Sequence, residues 1–173
     1  MHAYKPEPWS SSTPSTTYAA APPSELAVKT DVDGKYEKDF VQWVEEQARL
    51  LRARDFAALD LENLIEEIDA MARTQKQQLM NRLKVIVQHL LKCQFQPEQL
   101  SSSWRGTLLE QRSRISGLLE DSPSLKQLVE ASAARRYSDA LRAASEETGL
   151  ARTVFPNQNP YTSDQMLDPD YLP

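Results

Sequence analysis

His89 and Cys93 are the first candidates for a chemical role, because imidazole and thiol groups carry much of the acid–base and nucleophilic chemistry of enzymes. They stand four positions apart, which places them on one face of a helix. A cysteine–histidine nucleophile also needs a group that orients the imidazole, and nothing in the sequence positions one. Cys93 is the only cysteine, and at such a place it has the character of a small packing residue. We predict no catalytic residues, and an enzymatic role is left open but not favoured.

Metal and phosphate chemistry have equally few candidate residues. A single cysteine excludes a thiolate cluster, and the Glu-x-x-His pairs of carboxylate-bridged metal sites are absent. The four glycines form neither of the loops that bind nucleotide phosphates. The helical wheel directs Glu62 and Glu66 toward water, which is typical of a solvated face. The sequence therefore predicts no metal site and no cofactor.

Cationic, aromatic and amide side chains collect in the stretch HLLKCQFQPEQLSSSWRGTLLEQR, residues 89–112. Basic groups beside a tryptophan face can form a small groove for an acidic ligand. The candidate binding residues are His89, Lys92, Trp104, Arg105, Gln111 and Arg112. The alternative is that Trp104 packs the corner after Pro97 while the arginines pair with nearby carboxylates.

Two glutamines, Gln47 and Gln111, stand in the middle of otherwise apolar helix faces. A buried amide without a partner costs about 1–3 kcal/mol, so both are expected to be hydrogen-bonded. One interpretation is that they bond to each other or to the backbone near Trp104 and so fix the helix register. The other is that they line a ligand pocket.

The helices that position these residues follow from proline placement and apolar periodicity. No proline falls between residues 24 and 96, and an interior proline costs a helix about 3 kcal/mol. Apolar residues recur at three- and four-residue spacing over about 35–54 and 60–95. A third helix is expected from a cap at one of Ser101 to Ser103 to a stop at Asp121, and a fourth from a cap at Ser122 or Ser124 to about Thr148. The predicted fold is all-α, a roughly up-and-down four-helix bundle.

Two details of this bundle concern the second helix and the C-terminal stretch. The second helix would be about 50 Å long as one rod, so a bend is expected near the polar run 73–78, and its continuity is left open. The C-terminal stretch is too rich in aromatic and leucine residues for a plain tail. It is predicted to wrap the bundle, with Thr162 or Ser163 capping a single turn through Leu167.

Composition divides the chain into two regions and indicates the cellular compartment of the protein. Residues 1–33, rich in proline, serine and threonine, are predicted to form a flexible arm, and residues 34–173 a single helical domain. The sequence lacks the run of about 18 apolar residues that spans a bilayer, and its start lacks the features of a secretory signal. We expect a cytoplasmic protein with no membrane partner, and a lone cysteine is typical of a reducing compartment.

Charge is unevenly distributed along the chain, whose net charge is −5. Residues 31–70 hold twelve acids and five bases, a net of −7, whereas residues 73–114 hold eight bases and two acids, a net of +6. Packed helices of opposite charge would neutralise each other. Alternatively, the basic 73–114 region binds nucleic acid, although the overall negative charge counts against this.

Several segments carry a resemblance to a known family. They are DLENLIEEI (60–68), HLLKCQFQPE (89–98), SWRGTLLEQR (103–112), SPSLK (122–126), EETGL (146–150) and FPNQNPYTSDQMLDPDYLP (155–173). In this order they resemble domain-of-unknown-function family 29, bacterial proteins abundant in cyanobacteria, from about Tyr36 to Pro173. The resemblance implies a helical, roughly up-and-down bundle and no assigned reaction, ligand or catalytic residue. Cys93 and Asn159 depart from the family pattern, which weakens any thiol-based mechanism.

The sequence thus favours a non-catalytic, cytoplasmic helical-bundle protein that acts through protein–protein interaction, with an unidentified protein or a second copy as partner. One alternative is a nucleic-acid-associated accessory protein that uses residues 73–114. The other is small-molecule binding at the corner of His89, Trp104 and Arg105.

Overall fold

The computed structural model describes residues 34–173, so the predicted flexible arm, residues 1–33, lies outside the described residues. Within that range the chain forms α-helices joined by short 3-10 turns and contains no β-strand. The helices are α1 Lys35–Lys38, α2 Phe40–Ala53, α3 Leu61–Phe95, α4 Ser102–Asp121, α5 Val129–Thr148 and α6 Ser163–Leu167. The predicted all-α class with four long helices is confirmed.

The described residues fall into two compact units, one that ends at Asp60 and one that spans Leu61–Pro173. A single domain over residues 34–173 stays a prediction. In the first unit, α2 begins where the Asp39 carboxylate accepts the amide hydrogen of Gln42 at 3.0 Å, a side-chain N-cap. It ends at Arg54, which takes the left-handed conformation (φ 59°) usual for the residue that closes a helix.

In the second unit, α3 is one helix of 35 residues, about 52 Å long, and the polar run 73–78 lies inside it without interruption. The continuity that the sequence left open is therefore established. α4 and α5 have 20 residues each, about 30 Å. Neither is long enough to cover the whole of α3.

The pairing of side chains shows which part of α3 is covered. Lys92 contacts Trp104 near the start of α4, and Arg82 bonds Gln111 further along it, so α4 runs antiparallel to α3. Gln96, just after α3, bonds the last residue of α5, so α5 runs parallel to it. At 1.5 Å per residue, both helices reach back only to about residue 74 of α3.

The core of the second unit accordingly lies along the C-terminal half of α3. Its fully buried side chains include Leu79, Leu83, Ile86, Leu90 and Leu91 of α3, Leu108 and Ile115 of α4, and Val129 of α5. The predicted wrapping segment completes it, with Phe155, Tyr161 and Met166 buried. Thr162 caps α6 through a capping box with Gln165, and α6 ends at Leu167, which confirms the predicted single turn.

Candidate functional site

Lys92 lies at the centre of the predicted corner. It is 4% exposed, and its Nζ lies 4.2 Å from the centroid of the Trp104 ring, a cation–π contact between α3 and α4. The same Nζ donates to Glu147 Oε2 at 2.5 Å. The predicted meeting of a basic group and a tryptophan is present, but the acidic group beside them comes from the chain itself.

A row of buried polar side chains at the end of α3 and just after it, which we call the α3 polar row, holds the end of α5. It consists of Gln88, Lys92 and Gln96, at intervals of four residues. Gln88 Nε2 donates to Glu147 Oε1 at 2.7 Å, and Gln96 Nε2 donates to the Thr148 carbonyl at 2.9 Å. Gln88, Gln96 and Glu147 were not among the predicted residues, although the four-residue spacing of the polar row was a readable signal.

His89 and Cys93 do not form a nucleophilic pair. His89 Nδ1 lies 3.0 Å from the carbonyl oxygen of Val85, one turn back on α3, so its N–H donates to the backbone. Burial lowers the pKa of His89 below its ordinary value of 6.5. Burial also raises the pKa of the Cys93 thiol, which disfavours the reactive thiolate. Each group is therefore held in its neutral form.

Arg112 faces the C-terminal segment. It is 5% exposed, and its guanidinium donates to four backbone carbonyls, those of Gln165, Met166, Pro169 and Tyr171, at 3.0–3.2 Å. The pairing with carboxylates, offered as the alternative for this arginine, is replaced by a cage of carbonyl oxygens. The arginine fork supplies enough donors to satisfy all four.

The two glutamines that interrupt apolar faces have other partners than expected. Gln47 is buried, and its Oε1 accepts the Asp60 amide hydrogen at 2.9 Å. Gln111 is half-buried, and its Oε1 accepts from the Arg82 guanidinium at 3.2 Å. Both amides bond within their own unit, and Gln47 ties the end of the first unit to α2.

The six predicted binding residues are therefore divided among several contacts. Lys92 and Trp104 meet, Arg112 binds the C-terminal segment, and Arg105 is exposed. Near Gln111 a surface groove of about 240 Å³ is lined by Gln78, Asn81, Arg82, Val85 and Gln111. A small-molecule site at the corner stays a prediction.

A different feature is the exposed apolar face on the first half of α3, which we call the α3 stripe. It consists of Leu61, Ile65, Ile68 and Met71, whose exposed fractions are 52%, 58%, 58% and 69%. The apolar face of α3 is thus buried from Leu79 onward and exposed before Leu79. The reason is that α4 and α5 reach back only to about residue 74 of α3. In the first unit, α2 likewise exposes Phe40, Val44 and Leu51.

The described residues 34–173 also bear on metal binding and membrane crossing. Histidine, cysteine and carboxylate side chains do not gather there in groups of three that could hold a metal ion. None of the helices in that range combines the length and the apolar character needed to cross a membrane.

Comparison with known proteins identifies a family. Neither a curated protein nor a solved structure matches the chain. A family model described as "Domain of unknown function DUF29" matches residues 35–172, nearly all of the described range and ending within the C-terminal segment that Arg112 holds. The chain belongs to the DUF29 family of domains of unknown function.

Proposed function

We propose that this protein is a non-catalytic, cytoplasmic interaction module that binds another polypeptide through the α3 stripe. The observation that carries the proposal is the exposure of Leu61, Ile65, Ile68 and Met71 on one helix face, beyond the reach of α4 and α5. A contiguous apolar patch on a folded surface commonly marks an interaction site, because water contact with it is unfavourable. The cytoplasmic location rests on the lone, buried Cys93.

The second unit provides a rigid support for this face. Its two most deeply buried charged side chains are bonded within the unit: Lys92 to Glu147, and Arg112 to backbone carbonyls. Polar side chains that are already hydrogen-bonded within the protein are poor binding groups for a small ligand, because the ligand would first have to break these contacts. This supports an interaction role over a small-molecule role at the corner.

The basic region 73–114 gives weaker support to nucleic-acid binding than its sequence suggests. Lys92 and Arg112, two of its eight bases, are buried, and Arg82 bonds Gln111. A buried cation that is bonded within the protein cannot contact a phosphate and displace its counterions. This release of counterions is the main source of nucleic-acid affinity. Fewer bases are therefore free to contact phosphates.

The test is affinity capture from lysate of the native host, with the full chain as bait and with or without nuclease. We compare wild type with Ile68→Glu, and with Thr74→Glu as a control that adds the same charge at an exposed position about 125° around the helix from the stripe. Circular dichroism first confirms that all three are folded.

Nuclease-resistant capture of a polypeptide, another protein or a second copy, that Ile68→Glu abolishes and Thr74→Glu retains would support the proposal. Recovery that depends on nucleic acid and is lost in Arg105→Glu/Arg114→Glu would favour the nucleic-acid role instead. Equal capture by wild type and Ile68→Glu would show that the α3 stripe is not the binding face.

A further inference from the structure

We propose that the groove beside Gln111, between α3 and α4, binds a carboxylate group of a small organic acid or of an acidic side chain, with Arg82 as its cationic group. We call it the Arg82 groove. It has a volume of about 240 Å³ and is lined by Gln78, Asn81, Arg82, Val85 and Gln111. It lies on the covered half of α3, outside the α3 stripe, so this inference goes beyond the proposed function and does not rest on it.

Arg82 is a half-buried arginine whose charge has no carboxylate partner within residues 34–173. Its side-chain hydrogen bond in that range runs from Nη1 to the neutral Gln111 Oε1 at 3.2 Å. Its Nε is buried and meets no acceptor there. Charged groups that leave water are usually paired, because an unpaired charge loses its hydration without compensation. The Arg82 guanidinium therefore has an uncompensated charge and unused donors.

The bond to Gln111 leaves the guanidinium able to turn toward an anion. At 3.2 Å it is long, since N–H···O bonds most often measure about 2.9–3.0 Å. Its acceptor is also neutral, and a neutral acceptor binds a cation less strongly than a carboxylate does. A carboxylate that enters the groove can therefore draw the guanidinium toward itself, and Nε then gains an acceptor.

The amide side chains of the groove have their oxygens in use and their nitrogens left to donate. Gln111 Oε1 accepts from Arg82, and Asn81 Oδ1 accepts from Gln77 Nε2 at 2.8 Å. A primary amide has two N–H donors besides its oxygen. Asn81 Nδ2 and Gln111 Nε2 are therefore available to the oxygens of a bound anion, alongside the guanidinium.

The charges around the groove fit a ligand with a single negative charge. Arg82 is the charged residue of the lining. On α4 the neighbouring Glu110 and Arg114 lie 3.6 Å apart and offset each other. Other bases on this part of α3 lie more than about 100° around the helix from the centre of the lining. They are Arg73, Lys76 and Lys84.

These features favour a carboxylate over a phosphate. A carboxylate carries one negative charge, whereas a phosphate group carries about two at neutral pH. The planar guanidinium also matches a planar carboxylate, with which it forms two parallel hydrogen bonds. Val85 and the aliphatic part of Gln78 supply apolar contact for a short hydrocarbon body.

The first test is two-dimensional NMR of the isotope-labelled full chain, titrated with butyrate at constant ionic strength. Butyrate carries one carboxylate on a short aliphatic body, and butyramide has the same body without the charge. Butyrate should shift the Arg82 Nε–H signal and the side-chain amide signals of Asn81 and Gln111 until they saturate. Butyramide should leave them in place, and equal shifts with both compounds would overturn the inference.

Substitution of Arg82 tests its role. Arg82→Gln should weaken butyrate binding at least about tenfold, because it removes both the charge and the planar fork. Arg73→Gln is the matched control, the same substitution at an exposed position of α3 about 130° from the centre of the lining, and it should bind as wild type does. Arg82→Lys keeps the charge but lacks the fork, so it should bind more weakly than wild type. Equal affinity of Arg82→Gln and Arg73→Gln would contradict the role of Arg82.

Asn81→Ala serves if circular dichroism shows that Arg82→Gln does not fold. Asn81 is exposed, so its truncation should leave the bundle intact. Loss of its Nδ2 should weaken butyrate binding about threefold, as expected for one hydrogen bond. Unchanged binding by folded Asn81→Ala would contradict the set of donors inferred for the groove.

Two capped peptides show whether the carboxylate belongs to a free acid or to a polypeptide. Ala-Glu-Ala carries it on a side chain, and Ala-Gln-Ala is the uncharged match. Tighter binding of butyrate would indicate a free organic acid, and tighter binding of Ala-Glu-Ala an acidic side chain of a partner chain; both results support a carboxylate groove. Inorganic phosphate that binds more tightly than either would overturn the choice of carboxylate. If none of these probes gives a saturable shift, the Arg82 groove is not a binding site.

Discussion

Arg112 shows how a single residue can hold a chain segment in place. Its guanidinium satisfies four carbonyls around the end of α6 and the turn that follows. Lysine keeps the charge but cannot reproduce the planar fork. We expect Arg112→Lys to lower the free energy of unfolding by roughly 2–4 kcal/mol, since several buried carbonyls lose their donor.

The measurement for Arg112 is urea unfolding followed by circular dichroism. Arg105→Lys is the matched control, because the same substitution at an exposed position on the same helix should change stability by less than about 0.5 kcal/mol. If the two variants were equally stable, the carbonyl cage would not be a significant contribution to the fold.

His89 gives the molecule a pH dependence of definite sign. Burial lowers its pKa in the folded protein from the ordinary 6.5, so below that pH the unfolded chain binds more protons than the folded chain. The free energy of unfolding should therefore have its full value above about pH 6.5 and should fall as the pH is lowered from there toward the pKa of His89 in the folded protein. Urea unfolding between about pH 7.5 and about pH 5.5 measures this, and His89→Gln should show a smaller decline. Parallel pH profiles would contradict the assignment.

At the scale of elements, the α3 polar row fixes α3 against α5. Lys92 is buried, while the side chain of its partner Glu147 is about half exposed (49%). Glu147→Gln should cost roughly 1–3 kcal/mol, because it leaves a buried ammonium without its counter-charge. Lys92→Met/Glu147→Gln, which removes both charges, should be more stable than Glu147→Gln alone. A double-mutant cycle by urea unfolding measures this coupling, and additive losses would argue against it.

Helix positions could be predicted from the sequence because their signals are local. The serine N-cap of α4, Gly149 at the end of α5 (φ 73°) and the Thr162 capping box were all readable from neighbouring residues. Hydrogen-bond partners could not be predicted, because they depend on which distant segments of the chain come into contact in the fold. Arg112 and the carbonyls it binds are more than fifty residues apart, and no local pattern announces such a contact.

The α3 stripe is a case in which periodicity was correct and its interpretation was incomplete. The pattern identified one apolar face from Leu61 through Leu91, but exposure depends on the lengths of the neighbouring helices. α4 and α5 are too short to cover its first half. The sequence predicts the face, and only the assembled bundle shows which part of it is exposed.

At the scale of the whole molecule, the buried core has a boundary that the sequence did not predict. The main hydrophobic cluster runs from Leu79 to Met166 and includes none of the described residues 34–60, in agreement with the division of the chain at Asp60. A unit that contains its own core should fold without the rest. We therefore expect residues 61–173 alone to be helical and to unfold in one cooperative step.

The experiment compares thermal and urea unfolding of residues 61–173 with those of residues 34–173, both followed by circular dichroism at 222 nm and by fluorescence. The shorter chain should keep a sharp transition within a few degrees of the longer one, since the same core side chains are buried in both. To separate the fold from the interaction face, Ile68→Glu is made in the shorter chain and should leave its midpoint nearly unchanged. A broad or absent transition in residues 61–173 would instead show that residues 34–173 form one cooperative domain, as the sequence predicts.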